Sequence, residues 1–314
     1  MASINGMNGE TGEEVYGALR PLLFSIAYRM VGSVSEAEDI VQEAFLRYHD
    51  AGRDGDIESP KAWLAAVTTR LSINHLKSAR VRRESYVGPW VPEPLVTDME
   101  PDPAEHAETA DSLSLAFLVL LESLTPVERA VFLLREVFDY GYDEIARTVG
   151  KSEQNCRQLA ARARKQIEAR RPRFEASRER KEELARRFFA AADRGDTEAL
   201  VGMLAADVVS YGDGGGRAFA FPRPVYGREA VARLLAGLRE RVRPAGVRLR
   251  PAQINGQPGA LFFDPGDRIL FVVSLDIAED QVQTIRAVSN PEKLGHLGPV
   301  ADPQYLLRGR EPQA

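Results

Sequence analysis

The sequence predicts a multidomain protein: two all-α modules, then an α+β domain with a curved antiparallel sheet and helices on one face. Three observations predict this. Apolar residues recur at helical spacing through most of the first 171 residues, interrupted by one acidic, proline-rich stretch. Tyr142 to Ala169 has the pattern of a short helix, a glycine turn and a second helix. Beyond Gly195-Asp196 the apolar period shortens to that of strands, with turn residues between the runs.

The bulk properties bound the reading. A length of 314 residues with 44% apolar content implies two or three domains with real cores. A net charge of −5 argues against indiscriminate polyanion binding, yet permits a basic face on one module. The opening stretch MASINGMNGETGEEV has neither a basic n-region nor an apolar h-region. No run approaches the roughly 20 apolar residues of a membrane span, so the expectation is a cytoplasmic protein with no membrane partner. The single cysteine, Cys156, falls on the apolar side of a helix and reads as a small buried side chain. His49, His75, His106 and His296 have no metal-ligand spacing, so no metal and no cofactor are expected.

In chain order, residues 13 to 31 carry Val15, Leu19, Leu22, Leu23, Ile26, Ala27 and Met30 at helical spacing, and Gly32-Ser33 closes the pattern. Ser35 is expected to cap a second helix, with Ala37, Ile40, Val41, Ala44, Phe45 and Tyr48 on its apolar side. Glu36, Glu38, Asp39, Gln42, Glu43 and Arg47 lie outside that side, and by composition alone they form a solvated face. The Gly- and Asp-rich stretch from 51 to 60 is a loop, and Ser59-Pro60 opens a third helix. Trp63, Leu64, Val67, Leu71 and Ile73 anchor its first part. From Arg70 on, Asn74, His75, Lys77, Arg80, Arg82 and Arg83 make it basic and polar, suited to nucleic-acid backbone and exposed bases. A basic end that only complements the helix dipole would explain the last turn, not the residues from Arg70 on.

Residues 85 to 111 hold five prolines, seven acids and no Lys or Arg, the composition of an extended linker. Trp90, Val91 and Leu95 are out of place in a solvated tether, and apolar side chains between prolines mark a docking segment. Thr125-Pro126-Val127-Glu128 then has capping-box spacing, followed by Ala130, Val131, Leu134, Val137 and Phe138 on one side of a helix.

Ile145, Ala146 and Val149 mark the next short helix, and Val149-Gly150-Lys151 breaks it. Ser152 sits where an N-cap belongs, and Cys156, Leu159, Ala160, Ala163 and Ile167 give the following helix its buried face. This is a helix-turn-helix. Glu153, Gln154, Asn155, Arg157 and Gln158 fall on the opening turns that enter a major groove in this motif, and their side-chain chemistry matches base edges. Arg162, Arg164 and Lys165 lie further along, against phosphates. Between Glu144 and Arg171 there are eight Lys/Arg against three acids, so the positive charge is local. Two amphipathic helices and a glycine turn also occur in bundles that touch no DNA. The local charge and the polar opening turn favour DNA.

A charged helix from about Ser177 has Leu184, Phe188, Phe189 and Ala192 on its apolar side. A short helix over 197–205, the extended run VVSYG, the turn Asp213-Gly214-Gly215-Gly216-Arg217 and the run AFAF follow. A helix over 228–239 and strands over 247–253, 260–263, 269–275 and 282–288 complete the domain.

With these elements read, the first 171 residues resemble an extracytoplasmic-function (ECF) sigma factor of bacterial RNA polymerase. The resemblance rests on DIVQEAFLRYHD at 39–50, AWLAAVTTRLSINHLKSARVRR at 62–83 and the stretch from Leu124 to Gln166. The remainder resembles the SnoaL-like, NTF2-like fold. WVPEP at 90–94, DGGGR at 213–217 and NPEKL at 290–294 are similar to the three signature segments of the ECF41 group, whose members carry such an extension. Val91, Arg217 and Glu292 stand where that pattern has Leu, Lys and Asp. The domains so implied are sigma region 2 over 10–84, the linker over 85–111, sigma region 4 over 112–173, the SnoaL-like domain over 178–294 and a tail over 295–314.

The resemblance implies promoter-directed transcription initiation, with the polymerase core (its β′ clamp and β flap) and promoter DNA as partners. It implies core binding by Asp39, Ile40, Glu43, Phe45 and Leu46 on the second helix. Melting and holding of the minus-10 element falls to Arg70, Asn74, Lys77, Arg80, Arg82 and Arg83. Recognition of minus-35 falls to Ser152, Gln154, Asn155, Arg157, Gln158, Arg162, Arg164 and Lys165. Control between domains falls to Trp90, Pro92, Glu93 and Pro94, to Asp213, Gly214, Gly215, Gly216 and Arg217, and to Asn290, Pro291, Lys293 and Leu294, with Glu93 and Arg217 as a charge pair. A small ligand or an enzymatic activity of the C-terminal domain stays open as the alternative, with Asp207 and Asp213 as acid–base candidates and His296 as a partner. No histidine lies near the predicted strands, and Asp213-Gly-Gly-Gly reads first as a turn, so no catalytic residue is assigned. A repressor with a ligand domain would account for the helix-turn-helix but not for the first 83 residues.

Overall fold

Leu23, Ile26, Ala27 and Met30, spaced at the helical period, are all buried and form the inner side of α1 (Gly12–Val31). The computed structural model describes residues 12–52, 57–84, 86–97, 112–169 and 177–306. Gly32, at φ 71°, ends α1, and α2 (Val34–Gly52) begins two residues later. Its cap is Ser33 rather than the expected Ser35: the Ser33 hydroxyl accepts from the Glu36 amide at 3.2 Å, three residues on, as N-cap geometry requires. Ser59 accepts from the Ala62 amide at 3.3 Å and so opens α3 (Pro60–Glu84), as its sequence predicts. Leu64, Val67, Ile73 and Leu76 line the buried side of α3.

Helix α4 (Leu115–Leu121) precedes α5 (Pro126–Glu136). Thr125 and Glu128 form the predicted capping box in both directions. In α6 (Tyr142–Val149) the chain stops at Gly150, whose φ of 67° suits a residue without Cβ. Ser152 then caps α7 (Glu153–Glu168) by accepting from the Asn155 amide at 3.3 Å. Val131, Leu134, Ile145, Cys156, Leu159 and Ala160 pack together as the core of this three-helix unit. The Cys156 thiol is buried there, and burial pushes its pKa up, so it remains a neutral packing group.

The chain divides into two compact units that do not follow its order: residues 1–81 with 121–169, and 82–120 with 170–314. In the first, the ends of the helical modules are tied by side chains. Buried Arg129 of α5 donates to the Met30 carbonyl at the end of α1 at 2.6 Å and pairs with Glu122 at 2.9 Å. Arg29 is also buried, and desolvation brings its guanidinium down to about 10.

In the second unit, α8 (Arg178–Arg194) ends at Gly195 with φ 71°, and α9 (Thr197–Met203) leads directly into β1 (Leu204–Asp213). Strand β2 (Val225–Tyr226), helix α10 (Arg228–Val242) and strands β3 (Arg248–Ile254), β4 (Gln257–Phe263), β5 (Ile269–Ala278) and β6 (Gln281–Val288) complete it. The sheet order is β2-β1-β6-β5-β4-β3. The domain class is the one expected, but the sheet is mixed rather than wholly antiparallel, because β1 pairs parallel with β6. A parallel pair needs a long crossover, supplied here by everything from β2 to β5, and strand patterning carries no directional signal. Residues 218–221 form no strand. Arg217 and Ala218 both donate to the Gly214 carbonyl and curl the chain before AFAF begins.

Leu184, Phe188, Leu200, Met203, Val231, Phe271, Leu275 and Ile285 pack into one core between the helices and the sheet. Each such large side chain contributes about 1.5–3 kcal/mol relative to exposure. Packing continues past the expected boundary at 294. Ile269 and Ala301 exchange backbone hydrogen bonds with the 299–301 segment and β5, and Ala301 lies in this core.

Candidate functional site

The site is built on Asp213, the last residue of β1, whose side chain has no solvent exposure. Its carboxylate accepts from the Tyr86 hydroxyl at 2.5 Å, the Val91 amide at 2.8 Å, the Gly215 amide at 3.2 Å and the Lys293 ammonium at 2.7 Å. The Lys293 ammonium also donates to the Val91 carbonyl and lies over the rings of Trp90 at 4.4 Å and Tyr86 at 4.9 Å. A buried charge pair persists where each ion finds further donors, acceptors or ring faces, and both do so here. Asn290, 2% exposed, donates to the Tyr86 hydroxyl at 2.9 Å and accepts from the Glu292 amide at 3.1 Å. Burial, then the hydrogen bond to Asp213, raise the Tyr86 phenol well above its ordinary pKa, so it stays a donor.

The glycines of the turn are sterically required. A Cβ on Gly214 would lie 2.5 Å from the Ala218 carbonyl oxygen, and one on Gly215 would lie 2.3 Å from the Asn290 side-chain nitrogen. The three segments singled out in the sequence therefore meet. Trp90, Pro92 and Pro94 belong to the docked stretch, Pro291 opens the 3-10 turn that carries Lys293, and Leu294 is fully buried behind it. One expected contact is different: Arg217 pairs with exposed Glu292 at 2.9 Å, not with Glu93, which is itself buried. The turn's tip and the 290–294 segment lie side by side, whereas Glu93 sits inside the docked stretch.

Further along the linker, the Pro94 carbonyl accepts from His296 Nε2 at 2.8 Å. Leu95 exchanges bonds with Asn255 on the β3–β4 turn, and Thr97 donates to the Gln253 carbonyl. Tyr86 and Asn255 were not singled out by the sequence. The Asn255-Gly256 dipeptide marks a hairpin turn, but nothing local marks that turn as the receiver of a segment 160 residues away.

The DNA-facing candidates separate into two groups. On α7, Gln154, Asn155, Arg157, Gln158 and Lys165 are exposed, while Ser152 is the cap. Arg157 pairs with Glu153 at 2.7 Å and lies over the Tyr142 ring, and Arg164 and Arg162 pair with Glu136 and Glu128 of α5. On α3, Arg70 donates to the carbonyls of Thr148 at 2.9 Å and Arg147 at 2.8 Å, the unsatisfied acceptors at the end of α6. A cation there also complements the helix dipole. Asn74 and Lys77 are exposed. The side chains of Arg80, Arg82 and Arg83 lie outside the described residues.

On α2, Asp39 and Leu46 are exposed, Glu43 pairs with Arg47, and Phe45 packs on Tyr16 at 4.6 Å between ring centroids. Ile40 is a correction: at 7% exposure it belongs to the core and not to an outer surface, because it falls on the same side of the helix as Ala37, Val41 and Ala44.

A cavity of about 880 Å³ opens between α8, α10 and the sheet. None of Asp207, Asp213 and His296 lines it, so the acid–base candidates of the enzymatic alternative lie outside this cavity. Among the described residues no group of three or more His, Cys, Asp or Glu is arranged to hold a metal, and no helix is long and apolar enough to cross a membrane.

Comparison with known proteins matches the same three parts. Residues 15–82 match Sigma-70 region 2, residues 114–167 match Sigma-70, region 4, and residues 185–289 match the SnoaL-like domain. The chain is 36% identical over 287 residues to the ECF RNA polymerase sigma factor SigJ of Mycobacterium tuberculosis, covering 88% of this chain and 91% of that protein. It is 35% identical over 283 residues to the probable ECF RNA polymerase sigma factor SigI of the same organism, covering 89% and 93%. The crystal structure of M. tuberculosis SigJ aligns with a TM-score of 0.72 at 34% identity, covering 91% of this chain and 99% of that one.

Proposed function

This chain belongs to the ECF sigma factors of RNA polymerase and directs transcription initiation, and from that premise we propose that its SnoaL-like domain controls initiation from within the chain. Region 2 melts and holds minus-10 through the polar part of α3, and region 4 reads minus-35 through the opening turns of α7. The exposed Asp39, Glu43 and Leu46 of α2 meet the β′ clamp of the polymerase core, and region 4 meets the β flap. The C-terminal domain holds the linker that joins the two DNA-reading regions, and so limits the separations they can reach.

The observation that carries the regulatory reading is the Asp213–Lys293 pair closed over Trp90 and Val91. A merely solvated tether has no reason to give its backbone amide and carbonyl to a buried ion pair. Tethering keeps the segment at roughly millimolar effective concentration, so even a weak contact is populated.

The test is run-off transcription by reconstituted polymerase on genomic fragments with the full chain, with Trp90→Ala, with Asp213→Asn and with removal of 290–314. The expected outcome is changed transcript yield from unchanged promoters, together with faster proteolysis between 86 and 97. Equal yield and equal proteolysis in all three variants would reduce the domain to a passenger.

A further inference from the structure

The cavity and the linker site share their walls. Ser210, Tyr211 and Gly212 of β1 line the cavity, and the next residue is Asp213. Phe219, Ala220 and Phe221 line it as well, directly after the Gly214–Arg217 turn. Ser289 lines it from the end of β6, donates to the Phe219 carbonyl at 2.9 Å, and sends its amide to the Asp213 carbonyl at 2.8 Å. Its neighbour Asn290 holds the Tyr86 hydroxyl.

The lining states what fits. Six phenyl rings face the space, from Phe188, Phe189, Phe219, Phe221, Phe262 and Phe271. Every carboxylate and guanidinium in the lining lies on α8, on α10 or at Arg243 just beyond it, so the sheet side offers no charge. A charged ligand would lose its hydration there without a partner. The volume is that of a site for a small molecule, and stacked or edge-on rings favour an aromatic one.

We propose that this cavity binds an uncharged, largely apolar ring compound, and that its occupancy is transmitted to the linker through the 214–221 turn and the end of β6. A ligand seated against Phe219 and Phe221 presses on the backbone that carries them, and that backbone is already at close approach to the strand end. A Cβ added at Gly212 would lie 3.2 Å from the Phe221 amide nitrogen. Close-packed interiors transmit such displacements rather than absorb them. The inference rests on the reading of the linker as a controlled segment.

The test uses the full chain with N-phenyl-1-naphthylamine as an uncharged aromatic probe, followed by its own fluorescence. Ala192→Phe on α8 and Ala287→Phe on β6 each add a ring to the lining from a different element, with a thermal melt to show that each folds. In parallel, Trp63→Phe with 5-fluorotryptophan leaves Trp90 as the sole fluorine reporter, because the chain has two tryptophans. The expected result is saturable binding at one site per chain, weakened about tenfold or more in the filled variants, and a Trp90 resonance that moves over the same probe range. Binding that never saturates, or that folded Ala192→Phe and Ala287→Phe leave unchanged, overturns the site. A Trp90 resonance distinct from that of the unfolded chain but indifferent to bound probe overturns the transmission alone. A Trp90 resonance at the unfolded position before any probe is added overturns the linker reading itself.

Discussion

Asp213 and Lys293 are each nearly or wholly without solvent exposure, so neither tolerates loss of the other. Asp213→Asn leaves a buried ammonium facing a neutral amide, at a cost to the docked state of about 3–5 kcal/mol. This is read as faster native-state cleavage between residues 86 and 97. Adding Lys293→Met removes the orphaned charge and recovers most of the protection, since replacing both ions is far milder than replacing one. A double variant as open as Asp213→Asn would show that the charge pair is not what holds the segment. Tyr86 adds a pH dependence of known sign. Its pKa is raised in the folded chain, so its contribution to docking is complete below the ordinary phenol value of 10.0 and is lost as pH rises beyond it. The chain is therefore expected to open between 86 and 97 in alkali, and Tyr86→Phe to lose that component. An identical alkaline profile in Tyr86→Phe would assign the opening to other groups.

At the scale of the element, α7 is where cap, core and reading surface can be separated. Ser152 starts the helix, Cys156, Leu159 and Ala160 are consumed by the core, and the exposed residues between them are the ones proposed to read bases. Arg157→Ala is expected to cost about 1–3 kcal/mol in promoter binding and to relax the minus-35 preference, whereas Lys165→Ala weakens all sequences alike. Competition binding with point-substituted minus-35 elements measures both, and unchanged preference in Arg157→Ala would move the recognition surface elsewhere. Helix α2 separates in the same way. Asp39 and Glu43 lie outside the core, and reversing both to Lys is expected to abolish polymerase binding while the melting temperature stays nearly the same, because exposed charges contribute about 0–1 kcal/mol each. Co-purification of the folded double variant with core polymerase would remove α2 from that interface.

At the scale of the whole molecule, the compact units cut across the order of the chain. Regions 2 and 4 form one unit, through contacts such as Arg129 with the Met30 carbonyl and Arg70 with the end of α6. The linker goes with the C-terminal domain instead, along residues 86–97. In the free chain the Arg70 donors are thus engaged with the carbonyls of the other DNA-reading region, although α3 is the element whose composition suits single-stranded DNA.

The sequence by itself determined the helix caps at Thr125 and Ser152, the stop at Gly150, the three-helix reader and the change to strands after Gly195. These signals act within three or four residues, through cap hydrogen bonds, positive φ and the period of apolar side chains. The grouping of Trp90, Asp213 and Lys293 came from the resemblance of their three segments to the ECF41 signatures, not from any local signal. Only the tertiary structure decided the contacts themselves: that Asp213 accepts from the Val91 amide 122 positions earlier, that Arg217 meets Glu292, and that β1 lies parallel to β6. Those outcomes depend on which surfaces close on one another when the cores form. A burial pattern states that a residue needs a partner, and the partner is chosen by packing between segments far apart in the chain.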